Sequence, residues 1–434
     1  MLKSYKLKFF AIILILTIPV CMFGQNSSST SSPYSRYGFG IMSGTSFGRG
    51  DGMGGIGIGT RNSFQINTAN PASYTSIDSL TFLMQFGIDA KNTHSETTTA
   101  KNTRSNVNFN HLTFAFPLTR WWAISFGLLP YASKGYNIAT TGGSTDLTSS
   151  LLSSSSFYGS GTLTKFYFGN AFRLGKHLSV GVNTWFLFGK ITDDTYVYFP
   201  NDVDSYDYMK SNSLSAHGFG ATGGIQYQID TKNNNSITIG ATFEPKVDIS
   251  SSYTIHEERA LYRGSSSTTS IVDTLQHVVS SNNGLQIPVS YGTGLSYNIK
   301  NKIILGADAY FQQWKGSQFL GQQVDFYSNS SKYSFGFEYT PNLYSIRSYW
   351  ERVQYRLGAF YENSFLTLNG NQIKGYAATF GIGLPLGRSR SALNMSGEIG
   401  KLGTTENSLI KETYVKVTFH ILIFDRWFLK SKFD

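Results

Sequence analysis

Two short glycine motifs are the stretches of this sequence whose residue types and spacing match known chemistry. Gly44-Thr45-Ser46-Phe47-Gly48 has the GxSxG spacing that exposes a nucleophilic serine on a strand-turn-helix elbow. Gly48-Arg49-Gly50-Asp51-Gly52-Met53-Gly54-Gly55 contains GxGxxG, the spacing that lets a backbone approach a pyrophosphate. Both motifs need a strand before them and a helix after them, and neither pattern is present here. The glycines read instead as permission for tight turns. The seven histidines, His94, His111, His177, His217, His256, His277 and His420, are dispersed without HxxxH or HExxH spacing, so no metal site is expected. Cys21 is the only cysteine and falls in a leader segment, which leaves no thiol chemistry and no disulfide in the mature chain. The expectation is a protein that is not an enzyme and holds no cofactor and no metal.

The elements that would position side chains are strands. Aromatics are 15% of the chain, glycines number 44 and charged residues are only 14%. A soluble protein of this length carries more charge, whereas strands that alternate between lipid and water need little of it. Lys3, Lys6 and Lys8 followed by the apolar run Phe9–Val20 read as a signal peptide over 1–25, cleaved around Phe23 to Asn26. Without those three lysines the formal net charge of +10 becomes about +7, scattered rather than clustered, so no nucleic-acid partner is expected.

Period-two alternation dominates the rest. Trp122, Ile124, Phe126 and Leu128 alternate with Ala123, Ser125 and Gly127. Tyr333, Phe335, Phe337 and Tyr339 alternate with Ser334, Gly336 and Glu338, and Val415 to Ile423 repeats the pattern. A large apolar face opposite a small or polar one fits lipid outside and a lumen inside. About fourteen such segments are predicted: 80–90, 107–116, 121–131, 159–173, 178–191, 213–229, 236–252, 286–299, 302–314, 331–340, 353–362, 374–385, 392–402 and 411–424. Their connectors alternate long (Ser-, Asn- and Thr-rich) and short, as outer loops and inner turns do, with 341–352 as the one inner connector that is too long. The predicted architecture is all-β, a transmembrane antiparallel β-barrel over 80–424 in the cell outer membrane, with outer-membrane lipid as a partner. A Gly- and Ser-rich hatch over 26–79 lies in the lumen and a periplasmic tail spans 425–434. Trp121, Trp122, Tyr131, Tyr310 and Trp314 lie near strand ends and are expected to form an interfacial aromatic girdle.

Parity turns Asp89, Lys165, Arg173, Asp308, Glu338, Arg356 and Glu398 inward, as a salt-bridged network that packs the plug or, alternatively, as a charged constriction. Trp185 and Leu187 also turn inward, as luminal ligand contacts or as packing against the plug. Pro130 follows Gly127 late in the third strand; proline donates nothing to a ladder and glycine weakens one. That spacing predicts either a lateral opening at Gly127 and Pro130 or a simple strand end.

The stretch Gly54-Gly55-Ile56-Gly57, Arg61-Asn62, Asn67 and Asn70-Pro71-Ala72-Ser73 resembles the hatch of long-chain fatty-acid transport barrels, the FadL-type family. Phe116-Pro117-Leu118 with Trp122–Pro130, and Tyr167–Arg173 with Leu178–Gly189, are similar to that superfamily's strand pairs. Ser32-Pro33-Tyr34-Ser35-Arg36-Tyr37-Gly38 and Asp425-Arg426-Trp427-Phe428 resemble uncharacterised members from Bacteroidota. The likeness covers about residues 33–428. It implies fourteen strands, a hatch closed by Asn70, Pro71, Ala72 and Ser73, and passive passage of a hydrophobic or amphipathic small molecule through a side opening in the third strand. Some relatives serve the type IX secretion route as partner barrels, which implies the alternative of a non-transporting subunit of a secretion or envelope-assembly complex, with an envelope protein partner. The segment 253–285, with Ile255, His256, Leu261, Tyr262 and Leu285, is the candidate interface for that alternative. A general polar porin, the third alternative, is disfavoured by the hatch.

Overall fold

The computed structural model describes residues 30–143, 152–199, 205–261, 270–281, 284–387 and 390–427. The expected signal peptide and the last seven residues of the tail lie outside them. Twenty strands are present among the described residues. They are β1 (Ile41–Met42), β2 (Thr81–Glu96), β3 (Lys101–Pro117), β4 (Trp122–Gly143), β5 (Leu152–Leu174), β6 (Leu178–Tyr198) and β7 (Asp207–Thr231). They continue with β8 (Asn235–Glu244), β9 (Val247–Leu261), β10 (Ser270–Ser281), β11 (Leu285–Ile287), β12 (Ser290–Ile299) and β13 (Ile303–Gln312). The hairpin β14 (Gln318–Phe319) and β15 (Gln322–Gln323) precedes β16 (Ser330–Tyr339), β17 (Gln354–Leu368), β18 (Asn371–Pro385), β19 (Ala392–Leu402) and β20 (Lys411–Arg426).

These make fourteen staves. β8 and β9 run end to end along β7, and β10, β11 and β12 run end to end beside them, with breaks at Pro245 and Pro288. Prolines break both neighbours at the same height because neither can donate to the ladder there. Closure comes from β2, which pairs with β20 on one side and β3 on the other, so the wall is an antiparallel ring. Closure removes the lipid-facing edges that a strand structure cannot leave in hydrocarbon, apart from the gap between the upper parts of β3 and β4. No helix among the described residues is long and apolar enough to cross a membrane.

The exterior carries the large side chains. Phe166 and Phe168 are exposed while Tyr167 between them is buried, and Phe335, Leu357, Phe380 and Ile399 continue the outer band around the wall. Exposed apolar surface of this extent, wrapped as a belt, is lipid-facing surface. The chain is an outer-membrane β-barrel.

Two sequence expectations change. Predicted outer loops such as 91–106 and 132–158 are largely strand: β2 and β3 meet in a tight hairpin at 97–100, and β4 and β5 stay paired from Trp122↔Phe172 to Gly143↔Leu152. The extensions rise out of the bilayer and lack the apolar alternation that marks the lower halves. In the expected girdle, Trp121 and Trp122 do sit at the inner rim and stack on Phe172. Tyr131, Tyr310 and Trp314 instead face the interior. Tyr131 is the extra residue of a bulge between Pro130 and Ala132, which shifts parity, and Trp314 lies past its strand, fully buried against Phe39 of the N-terminal segment.

Candidate functional site

Residues 30–79 lie inside the ring, and glycines in the wall give them room. The 3-10 turn Pro71–Ser76 is capped by Asn70, whose side chain accepts from Ala72 N (3.1 Å) and donates to Ile58 O (2.9 Å) and to Ile225 O (3.1 Å) of the wall. A Cβ on Gly224 would stand 2.2 Å from Asn70 Oδ1, and one on Gly240 would stand 2.0 Å from Ile58 O. Only glycine lets the hatch backbone come this close. Asn70, Pro71, Ala72 and Ser73 are all buried.

The inward charges bind the hatch to the wall. Glu338 accepts both from Arg49 of the hatch and from Arg356 of β17 (Nε–Oε2 2.7 Å), and Arg356 Nη1 donates to Asn394 (2.7 Å). Asp308 accepts from the backbone of Gly57 (2.6 Å) and Ile58 (2.8 Å). Arg173 donates to Thr75 O. Asp51 of the hatch lies 2.9 Å from His420 Nε2. Burial pushes its carboxyl up, but the contact with His420 and the charge of Lys416 outweigh that and hold it below the ordinary range. Glu398 pairs with Lys416 (2.6 Å) within the wall, and Asp89 accepts from Asn108 and Asn110.

The wall is interrupted on one side. The β3–β4 ladder runs from Pro117↔Ala123 to Leu112↔Leu128 and stops. Above it, β3 pairs only with β2 among the described residues, while β4 continues to Gly143 beside β5. Gly127, paired with Thr113, is still inside the intact ladder; the interruption starts with Leu129 and Pro130. The N-terminal segment lies along the free edge of β4. β1 pairs Met42↔Ala132 and Ile41↔Ser133, Ser43 N donates to Tyr131 O (2.9 Å), and the Ser35 hydroxyl bonds both the N–H and the carbonyl of Gly135 (2.9 Å each). On the facing strand, Val107 and Phe109 point out to lipid. The seam therefore begins within the apolar band and is stoppered by hatch residues rather than by a wall strand.

Two internal compartments border Pro130. One, of about 140 Å³, is lined by Met42, Phe47, Tyr131, Lys165, Trp185 and Tyr310. Lys165 Nζ pairs with Glu244 (2.9 Å) and stands 3.9 Å from the Trp185 ring and 4.4 Å from the Tyr131 ring, a cation held between two aromatic faces. Trp185 Nε1 and Tyr131 Oη are buried without a hydrogen-bond partner among the described residues. Buried polar groups are nearly always paired, so these two donors beside a cavity are exceptions to the rule. The other compartment, of about 230 Å³, is charged; Asp51, Asp89, Lys91, Lys332 and Glu398 line it, with Phe109 and Pro130 at its outer side. Leu187 lines neither compartment and is fully buried in the apolar cluster with Ile191 and Leu163. From the sequence, Tyr131 and Tyr310 were expected in the interfacial girdle rather than beside this compartment, and β1 was not expected at all. The bulge hides the parity of Tyr131, and a two-residue strand leaves no periodicity.

No curated protein sequence matches the chain. Among solved structures, a Pseudomonas aeruginosa FadL homologue superimposes with a TM-score of 0.59 at 12% identity, over 90% of this chain and 100% of that one. The Ralstonia pickettii toluene transporter TbuX gives 0.56 at 16%, over 88% and 99%. The Pseudomonas putida toluene transporter TodX gives 0.53 at 15%, over 93% and 100%. At these identities the likeness fixes the fold, that of the FadL-type barrels. The sequence profile of the BamG family matches residues 3–434, and the chain belongs to the BamG family.

Proposed function

We propose that the protein is a passive channel that lets a small hydrophobic or amphipathic molecule leave the lumen sideways into the outer membrane. The observation that carries this reading is the seam above Leu112 and Leu128, which among the described residues is closed by β1 and the segment before it. Cargo rests against Trp185 and Tyr131, whose open donors favour a molecule with an acceptor on an apolar body. Displacement of Ile41–Met42 from Ala132–Ser133 then joins that compartment to lipid at Pro130. Asn70 to Ser73 act as the fixed foot of the hatch in this scheme, because Asn70 bonds the wall at β7 and β8, and the moving part is the N-terminal arm. Toluene is a suitable first probe, since two of the similar structures are of toluene transporters. Cells carrying the protein should take up radiolabelled toluene faster than cells without it, also in the presence of an uncoupler. Equal rates would remove the reading.

A second reading, a barrel subunit of a secretion or envelope-assembly complex, is favoured by one feature. The proposed interface 253–285 is mostly a β9–β10 ladder standing above the membrane, and it exposes Val272, Leu275, Val278 and Val279. Leu285, expected there, is fully buried instead, and Tyr262 lies outside the described residues. Exposed apolar residues clustered on a projecting hairpin suit a protein contact. Co-purification of a stoichiometric partner, lost on substituting Val278 and Val279 by Ser, would establish it; an unaltered monomer would not.

A further inference from the structure

The connector between β16 and β17 is the one inner turn too long for its task. Residues 340–353 form an ordered loop rather than a slack one. Asn342 N donates to Glu351 O (2.8 Å), Arg352 N to Tyr349 O (3.0 Å), and Ser345 N to Asn342 O (3.1 Å). Two side chains tie it to the next inner turn: Tyr349 Oη donates to Pro385 O (3.2 Å) and Arg352 Nη1 to Gly387 O (3.0 Å). Yet this fixed loop shows its apolar groups to water. Ile346 is 100% exposed, Tyr344 72% and Trp350 67%.

Tyr344 and Ile346 also border a cavity of about 870 Å³ at the periplasmic mouth of the lumen, beneath Phe64 of the hatch. Its lining includes Arg49, Arg352, Arg356 and Arg390 and no carboxylate. Glu338 meets Arg49 and Arg356, and Asp78 meets Arg390 (2.9 Å). Arg352 has no carboxylate in reach among the described residues, and its Nε is buried without a partner. Exposed Arg347 on the same loop adds a second cation without a carboxylate partner among the described residues.

We infer that loop 340–353 and the mouth above it form a docking site for a periplasmic protein, which presents an acidic segment carrying aliphatic or aromatic side chains. A small ligand inside the cavity would leave Ile346 wet; only a body reaching below the rim covers it. Tyr344 and Ile346 turn toward the barrel axis, so lipid does not cover them either. A rigid rim of Tyr, Trp and Arg is the composition in which binding energy concentrates, and its fixed hydrogen bonds leave little ordering cost on association. The two unmet arginines select for acidic partners and against basic ones.

The test uses the full chain in detergent and a fluorescein-labelled peptide rich in Asp, Glu, Leu and Phe, beside the same peptide with Lys in place of each acid. The acidic peptide should bind at least about tenfold tighter, a margin of about 1.4 kcal/mol. Arg347→Glu should erase the margin and Ile346→Ser should weaken the acidic peptide at least about tenfold, while the barrel keeps its heat-modifiable migration and its toluene uptake. In cells, a photo-reactive residue at position 346 should give one discrete protein adduct that Arg347→Glu abolishes. Equal binding of both peptides, indifference to Arg347→Glu, or adducts with lipid alone would each overturn the assignment. None of these outcomes bears on the side opening, which lies at the other end of the lumen.

Discussion

Glu338 shows how much of the hatch rests on single side chains. It is buried and answers two arginines, one on the hatch and one on the wall. Breaking a buried ion pair by removing one partner costs about 3–5 kcal/mol, because the other charge is left without compensation. Glu338→Gln strands two such charges. The expected outcome is a loosened hatch, seen as protease cleavage near Arg49 that the native protein resists, with the barrel still heat-modifiable. Tyr131 and Trp185 predict something different. Their donors have no partner, so Tyr131→Phe should cost little stability, or even improve it slightly, while lowering affinity for an acceptor-bearing cargo by the worth of one hydrogen bond, about 0.5–1.5 kcal/mol. A titration with benzyl alcohol against toluene checks this: the variant should lose preference for the alcohol and keep toluene. Inward charges such as Glu338, Asp308 and Arg356 were legible from parity alone. Tyr131 was not, because a single bulge at Pro130 reverses the count that parity relies on.

At the scale of elements, wall glycines and hatch turns are matched shapes. Gly224 and Gly240 take Asn70 and Ile58 against bare backbone, and Gly336 and Gly358 do the same for the turn Gly50–Met53. Gly240→Ala places a methyl group where Ile58 O sits, so the foot of the hatch must shift. Planar-bilayer recordings of that variant should show openings of higher conductance than the native protein gives, and an unchanged trace would mean the foot is not what seals the lower lumen. The lower halves of the strands could be read from alternation because lipid and lumen demand opposite side chains. Their upper halves could not, since above the membrane no lipid holds one face apolar and the period carries no signal; β10 and β9 beyond Ser252 fell in the expected loop 253–285 for that reason. β1 is two residues long and is defined only by its partners Ala132 and Ser133.

For the whole molecule, the ring of fourteen strands and its lipid-facing belt follow from composition and alternation, while the seam does not. The seam exists because β3 and β4 part above Leu112 and Leu128, a fact of pairing between segments that the sequence marks only through Pro130, which reads equally as a strand end. The central claim is that passage to lipid requires the N-terminal arm to leave the free edge of β4. Met42 and Ala132 face each other across that edge. Opposed residues of an antiparallel pair stand about 4.5–5.5 Å apart at Cα, within disulfide reach, and Cys21 is the only native cysteine. The measurement is toluene uptake by Met42→Cys/Ala132→Cys, oxidised and then reduced. Oxidation should stop uptake and reduction should restore it, whereas the same rate in both states would contradict the lateral route.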